Sequence, residues 1–176
     1  ANKAFEIGFK VAGLYKPKDP QKLAQYARRI SALIRPPYRL GSDVTITKTT
    51  IGNEPGVPPG VPAVCVSVAK PRATVLYIHG GAFISGTFRT YAPICVQLAR
   101  QLNARVFWVD YRLAPEMPFP AAPDDCFHAY CALAEDYPLE PIAIIGDSAG
   151  GNLTLSTCLR IRDRFLSQQP RPKNFR

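Results

Sequence analysis

The sequence predicts an α/β domain in which a mostly parallel sheet is flanked by helices. First, short apolar runs alternate with longer segments of helical periodicity from residue 74 onward, which is typical of parallel strands joined by right-handed crossovers. Second, the run at 74–78 is almost continuously apolar, as a strand buried on both faces is. Third, the run at 142–145 leads through a Gly-x-Ser-x-Gly turn straight into a helical segment.

Two helices are expected before the sheet, within residues 1–40. In the second, Asp19 fits an N-cap and Pro20 fits the first turn, and Pro36 with Pro37 ends the helix. Its predicted apolar face consists of Leu23, Tyr26, Ala27, Ile30, Leu33 and Ile34. The first helix, around 5–14, is apolar over a wide arc and therefore needs a packing partner.

The sheet is expected to begin antiparallel and to continue parallel. Strand-like stretches at 43–51 and 61–68 flank a turn rich in Gly and Pro at 52–60. After the strand at 74–78, Thr90 is the predicted cap of a helix with one apolar side: Tyr91, Ile94, Cys95, Leu98 and Leu102.

The remaining elements follow in alternation. We expect a strand at 105–109, a Pro-rich loop to about Pro120, a helix at 122–136, the strand at 142–145 and a helix ending near Leu166.

Composition excludes several classes of protein. The 176 residues are 47% hydrophobic and 20% charged, and no apolar run approaches the ~18 residues of a membrane span. The N-terminus also lacks the unbroken apolar stretch of a signal peptide, so we expect a cytoplasmic protein without a membrane span. The net charge of +9 is spread along the chain without a basic motif, so no nucleic-acid partner is expected.

The cysteines and histidines do not form a metal-binding pattern. Five scattered cysteines lie in apolar patterns, which predicts buried free thiols in a reducing compartment. No metal and no cofactor are expected, and His128, on a predicted crossover helix, is expected to be structural or on the surface.

The Gly-x-Ser-x-Gly turn has the pattern of a nucleophile elbow. A sharp strand-to-helix turn strains its central residue and leaves no space for a Cβ two positions away, which Gly146 and Gly150 provide. The turn would expose the Ser148 hydroxyl, and the following helix would offer the Ala149 N–H to a developing negative charge. Ser148 is therefore a candidate nucleophile for acyl transfer.

A second Gly-rich segment follows the strand at 74–78 and starts with His79. At the carboxyl end of a parallel strand, the backbone amides of Gly80 and Gly81 are expected to point into a cleft. Together with the Ala149 N–H they would form an oxyanion hole.

The chain resembles α/β-hydrolases of the hormone-sensitive lipase family. The resemblance rests on Tyr-Ile-His-Gly-Gly-Ala-Phe at 77–83, on Val-Asp-Tyr-Arg-Leu-Ala-Pro-Glu-Met-Pro-Phe-Pro-Ala-Ala at 109–122 and on Gly-Asp-Ser-Ala-Gly-Gly-Asn at 146–152. It implies an α/β-hydrolase fold in which Ser148 is the nucleophile and the amides of Gly80, Gly81 and Ala149 form the oxyanion hole. It also implies that His79 organises the loop and is not the catalytic base.

The resemblance also implies a division of the chain. Residues 1–40 would form part of a cap over the acyl pocket, and 41–176 the N-terminal part of the catalytic domain, truncated after the nucleophile-elbow helix. In this fold the catalytic acid and then the histidine follow the serine, yet no histidine follows Ser148, and the one later carboxylate, Asp163, lies about four turns down the helix.

We therefore expect the acid and histidine in a C-terminal remainder of the same protein. Because loss of the serine or the histidine of a triad costs roughly 10⁶ in turnover, residues 1–176 alone should be inactive. The expected function is hydrolysis of small to medium acyl esters through an acyl-serine intermediate.

The alternative is a non-catalytic small-molecule receptor on the same scaffold, as in the gibberellin receptors, which resemble this family. A homodimer is left open, and Phe83, Tyr111 and Phe119 are interpreted as loop-packing or pocket aromatics.

Overall fold

A computed structural model describes residues 19–34, 36, 41–52 and 60–168. These residues form four helices and five strands, which run in the order α1 (Pro20–Leu33), β1 (Val44–Ile51), β2 (Val61–Val68), β3 (Thr74–Ile78), α2 (Phe88–Leu102), β4 (Arg105–Val109), α3 (Ala121–Asp136), β5 (Ile142–Gly146) and α4 (Ala149–Gln168). The helix expected around 5–14 and most of the turn at 52–60 lie outside the described residues.

The five strands form one mixed sheet in the order β1-β2-β4-β3-β5. The pairs β1–β2 and β2–β4 are antiparallel, and β3 pairs in parallel with both β4 and β5. The α/β fold and the antiparallel start are thereby confirmed. In the register of the parallel strands Ile78 lies opposite both Val109 and Gly146, so the loops that follow these three strands meet at one edge of the sheet.

The core lies on both faces of the sheet. All five residues of β3 are buried, as the sequence predicted. Leu76 and Ile78 pack with residues of α3 and α4, including Leu133 and Leu153, whereas Val75 and Tyr77 pack with the small residues of α2. Alternate side chains of β3 thus pack against helices on opposite faces of the sheet, which holds the strand and the start of the following loop in place.

Helix α1 begins as predicted, but its buried face differs. The Asp19 Oδ1 accepts a hydrogen bond from the Gln21 N–H at 2.8 Å, which confirms the N-cap. Ala24 is its fully buried residue, and Leu33 is 73% exposed. The predicted apolar face is therefore wrong in its last turn, because the helix contacts the domain through small and polar groups.

Helix α2 begins two residues earlier than the predicted cap. It starts at Phe88 with Thr87 in the N-cap position. The Thr90 hydroxyl instead donates to the Ser31 carbonyl of α1 at 3.1 Å, so Thr90 joins two helices. Ile94 and Leu102 are 44% and 48% exposed, because close approach to the sheet selects small residues for the buried face: Ala92, Cys95, Val96 and Ala99.

The five cysteines are free thiols with different exposure. Cys95 and Cys126 are buried, and burial raises the pKa of each thiol to about 12. Cys158 is exposed on α4, so the prediction of burial is wrong there.

None of the helices in the described ranges combines the length and hydropathy needed to cross a bilayer.

Candidate active site

Ser148 occupies a strained turn between β5 and α4. Its φ is 50°, in the left-handed region that residues with a Cβ seldom adopt, and its side chain is exposed. The Ser148 carbonyl accepts the Asn152 N–H at 3.2 Å, which closes the first turn of the helix behind the hydroxyl. A strained turn that exposes a hydroxyl at a helix N-terminus has the backbone geometry of a nucleophile elbow.

The two glycines of the turn are required by contact with backbone. A Cβ at Gly146 would overlap the carbonyl of Gly150, and a Cβ at Gly150 would overlap the Ile78 carbonyl and the backbone of His79. The sterics predicted from the sequence are therefore present. The contact between Gly150 and His79 also brings the serine turn directly against the loop that follows β3.

The loop after β3 is a tight turn closed on Gly81. The Gly81 carbonyl accepts the N–H groups of Ile84 and Ser85 at 3.1 and 3.0 Å and the Ser85 hydroxyl at 3.1 Å. Gly81 has a φ of 124°, and Ala82 and Phe83 follow at 55° and 63°. A Cβ at Gly81 would overlap the Ser85 carbonyl, so this position requires glycine.

Asp147 links the loop to the serine turn. Its Oδ1 accepts the Gly80 N–H at 3.0 Å and the Tyr77 hydroxyl at 3.1 Å, and its Oδ2 accepts the Tyr91 hydroxyl at 3.4 Å. Burial and the neighbouring carboxylate raise the pKa of Tyr91 to about 12, so both phenols stay protonated donors at neutral pH. The sequence analysis did not predict this role of Asp147. The one indication in the sequence is that an acidic residue stands between Gly146 and Ser148.

The bond to Asp147 corrects the predicted set of oxyanion donors. The Gly80 N–H already has an acceptor and is not free for substrate. Within the described ranges, the N–H groups of Gly81, Ala82 and Ala149 have no hydrogen-bond acceptor. Ala82 is exposed and Gly81 half-buried, so the free donors on this loop lie one residue later than the sequence predicted.

His79 is fully buried beneath the loop. Its ring stacks on Tyr111 with centroids 4.3 Å apart and on Trp108 at 4.8 Å, and its Nδ1 lies 2.7 Å from the Gly80 carbonyl oxygen. Burial lowers the pKa of His79 to about 4, so the ring is neutral at pH 7 and Nδ1–H donates to Gly80. The Tyr111 hydroxyl also donates to the His79 carbonyl at 2.8 Å.

The other aromatic candidates and His128 occupy different positions. Tyr111 is buried, whereas Phe83 and Phe119 are 37% and 85% exposed. His128 is exposed on α3. No hydrogen bond joins either histidine of the chain to Ser148, so the described residues supply no general base for its hydroxyl.

The described acidic residue that follows Ser148 is also too far away to act on it, and no metal-binding cluster is found among the described residues. Asp163 pairs with Arg162 at 2.6 Å and lies 15 residues along α4 from Ser148, or about 22 Å of helix. In the part of the chain that the structure describes, no three His, Cys, Asp or Glu side chains are grouped to hold a metal ion.

The fold and this site together define an α/β-hydrolase scaffold. The family model for the alpha/beta hydrolase fold matches residues 75–173. Hormone-sensitive lipase of Mus musculus is 43% identical over 96 residues, which are 52% of this chain and 13% of that protein. Esterase LipI of Mycobacterium tuberculosis is 42% identical over 107 residues, which are 58% of this chain and 33% of that protein.

A solved structure agrees over a longer stretch. A hormone-sensitive lipase from a metagenome library superposes with a TM-score of 0.71 at 37% identity, covering 93% of this chain and 53% of that one. The chain thus spans about half of that structure and a third or less of these two curated relatives. The chain belongs to the alpha/beta hydrolase family that the matching family model describes, and it is similar to hormone-sensitive lipases and esterases of that fold.

Proposed function

We propose that the protein is a carboxylic ester hydrolase that acts through an acyl-serine intermediate. The observation that carries the proposal is the exposed, strained Ser148 placed beside unpaired backbone N–H groups. A receptor that only binds its ligand would need neither feature. The names of the relatives, lipase and esterase, support the same reaction class.

In the proposed reaction the Ser148 Oγ attacks the ester carbonyl carbon while a histidine takes the hydroxyl proton. The carbonyl oxygen becomes an oxyanion and accepts hydrogen bonds from the N–H groups of Gly81, Ala82 and Ala149. Collapse breaks the bond to the alcohol oxygen, which receives the proton from the histidine. Water then repeats the sequence on the acyl-serine and releases the carboxylic acid.

Gly80 acts one step removed from the substrate in this proposal. Its N–H holds the Asp147 carboxylate, and its carbonyl accepts the His79 Nδ1–H. Gly80 therefore fixes the direction of the Gly81 and Ala82 amides, and His79 organises the loop from below.

The substrate class follows from the relatives and from the setting of the serine. Small to medium acyl esters are the proposed substrates, because the relatives are a lipase and an esterase and because the Ser148 hydroxyl is exposed. We assign residues 1–40 to a cap and 41–176 to the N-terminal part of the catalytic domain on this basis.

We propose that a further segment of the protein supplies the acid and the histidine. In the described sheet β5 is an edge strand, although three of its residues are isoleucines. Helix α4 also exposes apolar side chains, including Leu155 at 62% and Phe165 at 60%. A C-terminal segment that pairs with β5 and packs on α4 would cover both surfaces and complete the triad. Without this segment, residues 1–176 would be inactive. The homodimer and the cytoplasmic location stay predictions.

The test is ester hydrolysis by the full-length protein with nitrophenyl acetate and butyrate. Ser148→Ala should lower turnover by at least about 10⁴-fold, because it removes the attacking atom. Ser156→Ala, the same change two turns along α4, is the matched control and should retain turnover. Equal turnover in both variants would refute the role of Ser148. Saturable ester binding without turnover in the unmodified protein would favour the receptor.

A further inference from the structure

Arg28 of helix α1 contacts the two loops that flank the candidate site. Its Nε donates to the Ile84 carbonyl at 2.8 Å, and its Nη2 donates to the Ala114 carbonyl at 3.1 Å. Its Nη1 and Nη2 also bind the two carboxylate oxygens of Glu116 at 2.8 and 2.6 Å. One guanidinium therefore joins α1 to two segments that lie 56 and 86 to 88 residues further along the sequence.

The turn that Arg28 contacts is strained. Ala82 and Phe83 are consecutive non-glycine residues in the left-handed region, with φ values of 55° and 63°. Such residues persist only where the surrounding structure holds them in place. The bonds to Gly81 close the turn from within, but they leave the carbonyls of Phe83 and Ile84 for partners outside it.

The Phe83 and Ile84 carbonyls accept hydrogen bonds from Ala114 and Arg28, which are themselves hydrogen-bonded to each other. The Ala114 N–H donates to the Phe83 carbonyl at 2.9 Å, and Arg28 binds the Ala114 and Ile84 carbonyls. Arg28 and Ala114 thus fix the turn from its outer side, directly after the free N–H groups of Gly81 and Ala82. A change in this support would tilt those amides.

We infer that Arg28 is a positioning residue that aims the Gly81 and Ala82 amides at the oxyanion. The inference rests on the proposed function. Arginine suits this task because its planar fork reaches several acceptors at fixed angles, whereas lysine carries one compact charge. Glu116 orients the guanidinium: its carboxylate occupies the far edge and leaves Nε for Ile84.

The experiment compares three variants of the full-length protein on nitrophenyl butyrate. Arg28→Ala should lower kcat about 10–100-fold with KM within about threefold, because oxyanion contacts strengthen only in the transition state. Arg28→Lys should restore only part of kcat. Arg29→Ala, the adjacent exposed arginine on the same helix, removes the same charge and should leave kcat within about twofold.

A second readout does not depend on activity. Amide hydrogen exchange at 81–85 should be faster in Arg28→Ala than in the unmodified protein, and unchanged in Arg29→Ala. Exchange that is unchanged in Arg28→Ala overturns the inference, as does a kcat equal to that of Arg29→Ala. Faster exchange in Arg28→Ala of a protein that hydrolyses no ester rejects the proposed function, while it shows that Arg28 holds the turn at 81–85. If Arg28→Ala does not fold, the same comparisons are made on Arg28→Lys.

Discussion

The imidazole of His79 lies stacked on Tyr111 and Trp108 with no solvent exposure. Burial is the main cause of its low pKa of about 4, against an ordinary value of 6.5. The buried Nε2 has no hydrogen-bond partner in the described structure, so a second proton there would be unpaired. The ring is suited to hold the loop in its neutral form and unsuited to accept a proton from Ser148.

This burial predicts a stability change with pH. The unfolded chain takes up a proton on His79 below pH 6.5, and the folded chain does so only near pH 4. The contribution is therefore fully present above pH 6.5 and is lost as the pH falls to 4, by about 3 kcal/mol in the free energy of unfolding. Urea unfolding between pH 7 and 4 measures it.

Two variants isolate the contribution of His79. His79→Phe should lose most of this pH dependence, whereas His128→Phe, which replaces the exposed histidine of α3, should retain it. Identical pH profiles for the two variants would contradict the assignment to His79.

At the scale of elements, the serine turn and the loop after β3 are neighbours because β3 and β5 pair in parallel. Ile78 lies opposite Gly146, so the residues that follow both strands leave the sheet at the same edge. Gly150 allows the two segments to touch, because a side chain there would enter the backbone of Ile78 and His79.

Replacing this glycine tests the contact. Gly150→Ala should lower the free energy of unfolding by about 1–3 kcal/mol, since backbone atoms must move to admit the Cβ. Gly151→Ala is the matched control: its Cβ would lie 3.5 Å from the nearest atom. That variant should be unchanged or more stable by up to about 1 kcal/mol, because alanine favours helix. Thermal or urea unfolding measures both, and equal losses would contradict this view of the contact.

The elements show where sequence patterns were sufficient. The bounds of β2, β3 and β4 are as predicted, because strand-length apolar runs between turns admit one interpretation. The predicted buried face of α2 was wrong at Ile94 and Leu102, because periodicity weighs side chains by hydropathy, whereas close packing on the sheet favours small residues. Contacts such as Arg28 with Ile84 join residues 56 apart, and no local pattern encodes them.

The candidate site divides in the same way. Ser148 and its glycines were visible because one local turn demands them. The Gly80 amide was misassigned because its partner, Asp147, lies 67 residues away in sequence. The pairing of Asp125 with Arg112 was also missed: the buried carboxylate accepts the Arg112 backbone N–H at 2.8 Å and its guanidinium at 2.6 Å, which ties the loop after β4 to α3.

For the whole molecule, the described sheet ends at β5. Of the two histidines of the chain, His79 is buried beneath the loop after β3 and His128 is exposed on α3. The serine turn is nevertheless complete in its backbone, with its helix, its glycines and its neighbouring amides. The nucleophile and the oxyanion donors are therefore proposed for this part of the molecule, and the proton-transfer groups for a segment beyond it.

Covalent labelling can show whether Ser148 is the nucleophile. The full-length protein is incubated with a nitrophenyl alkylphosphonate, which a serine nucleophile attacks at phosphorus with release of nitrophenol, and the adduct is located by peptide mass spectrometry. We predict one adduct per chain on Ser148, formed far more slowly in residues 1–176 alone and absent from Ser148→Ala. Hydrolysis of esters with the adduct on another residue, or with no adduct, would contradict the assignment of Ser148 as the nucleophile.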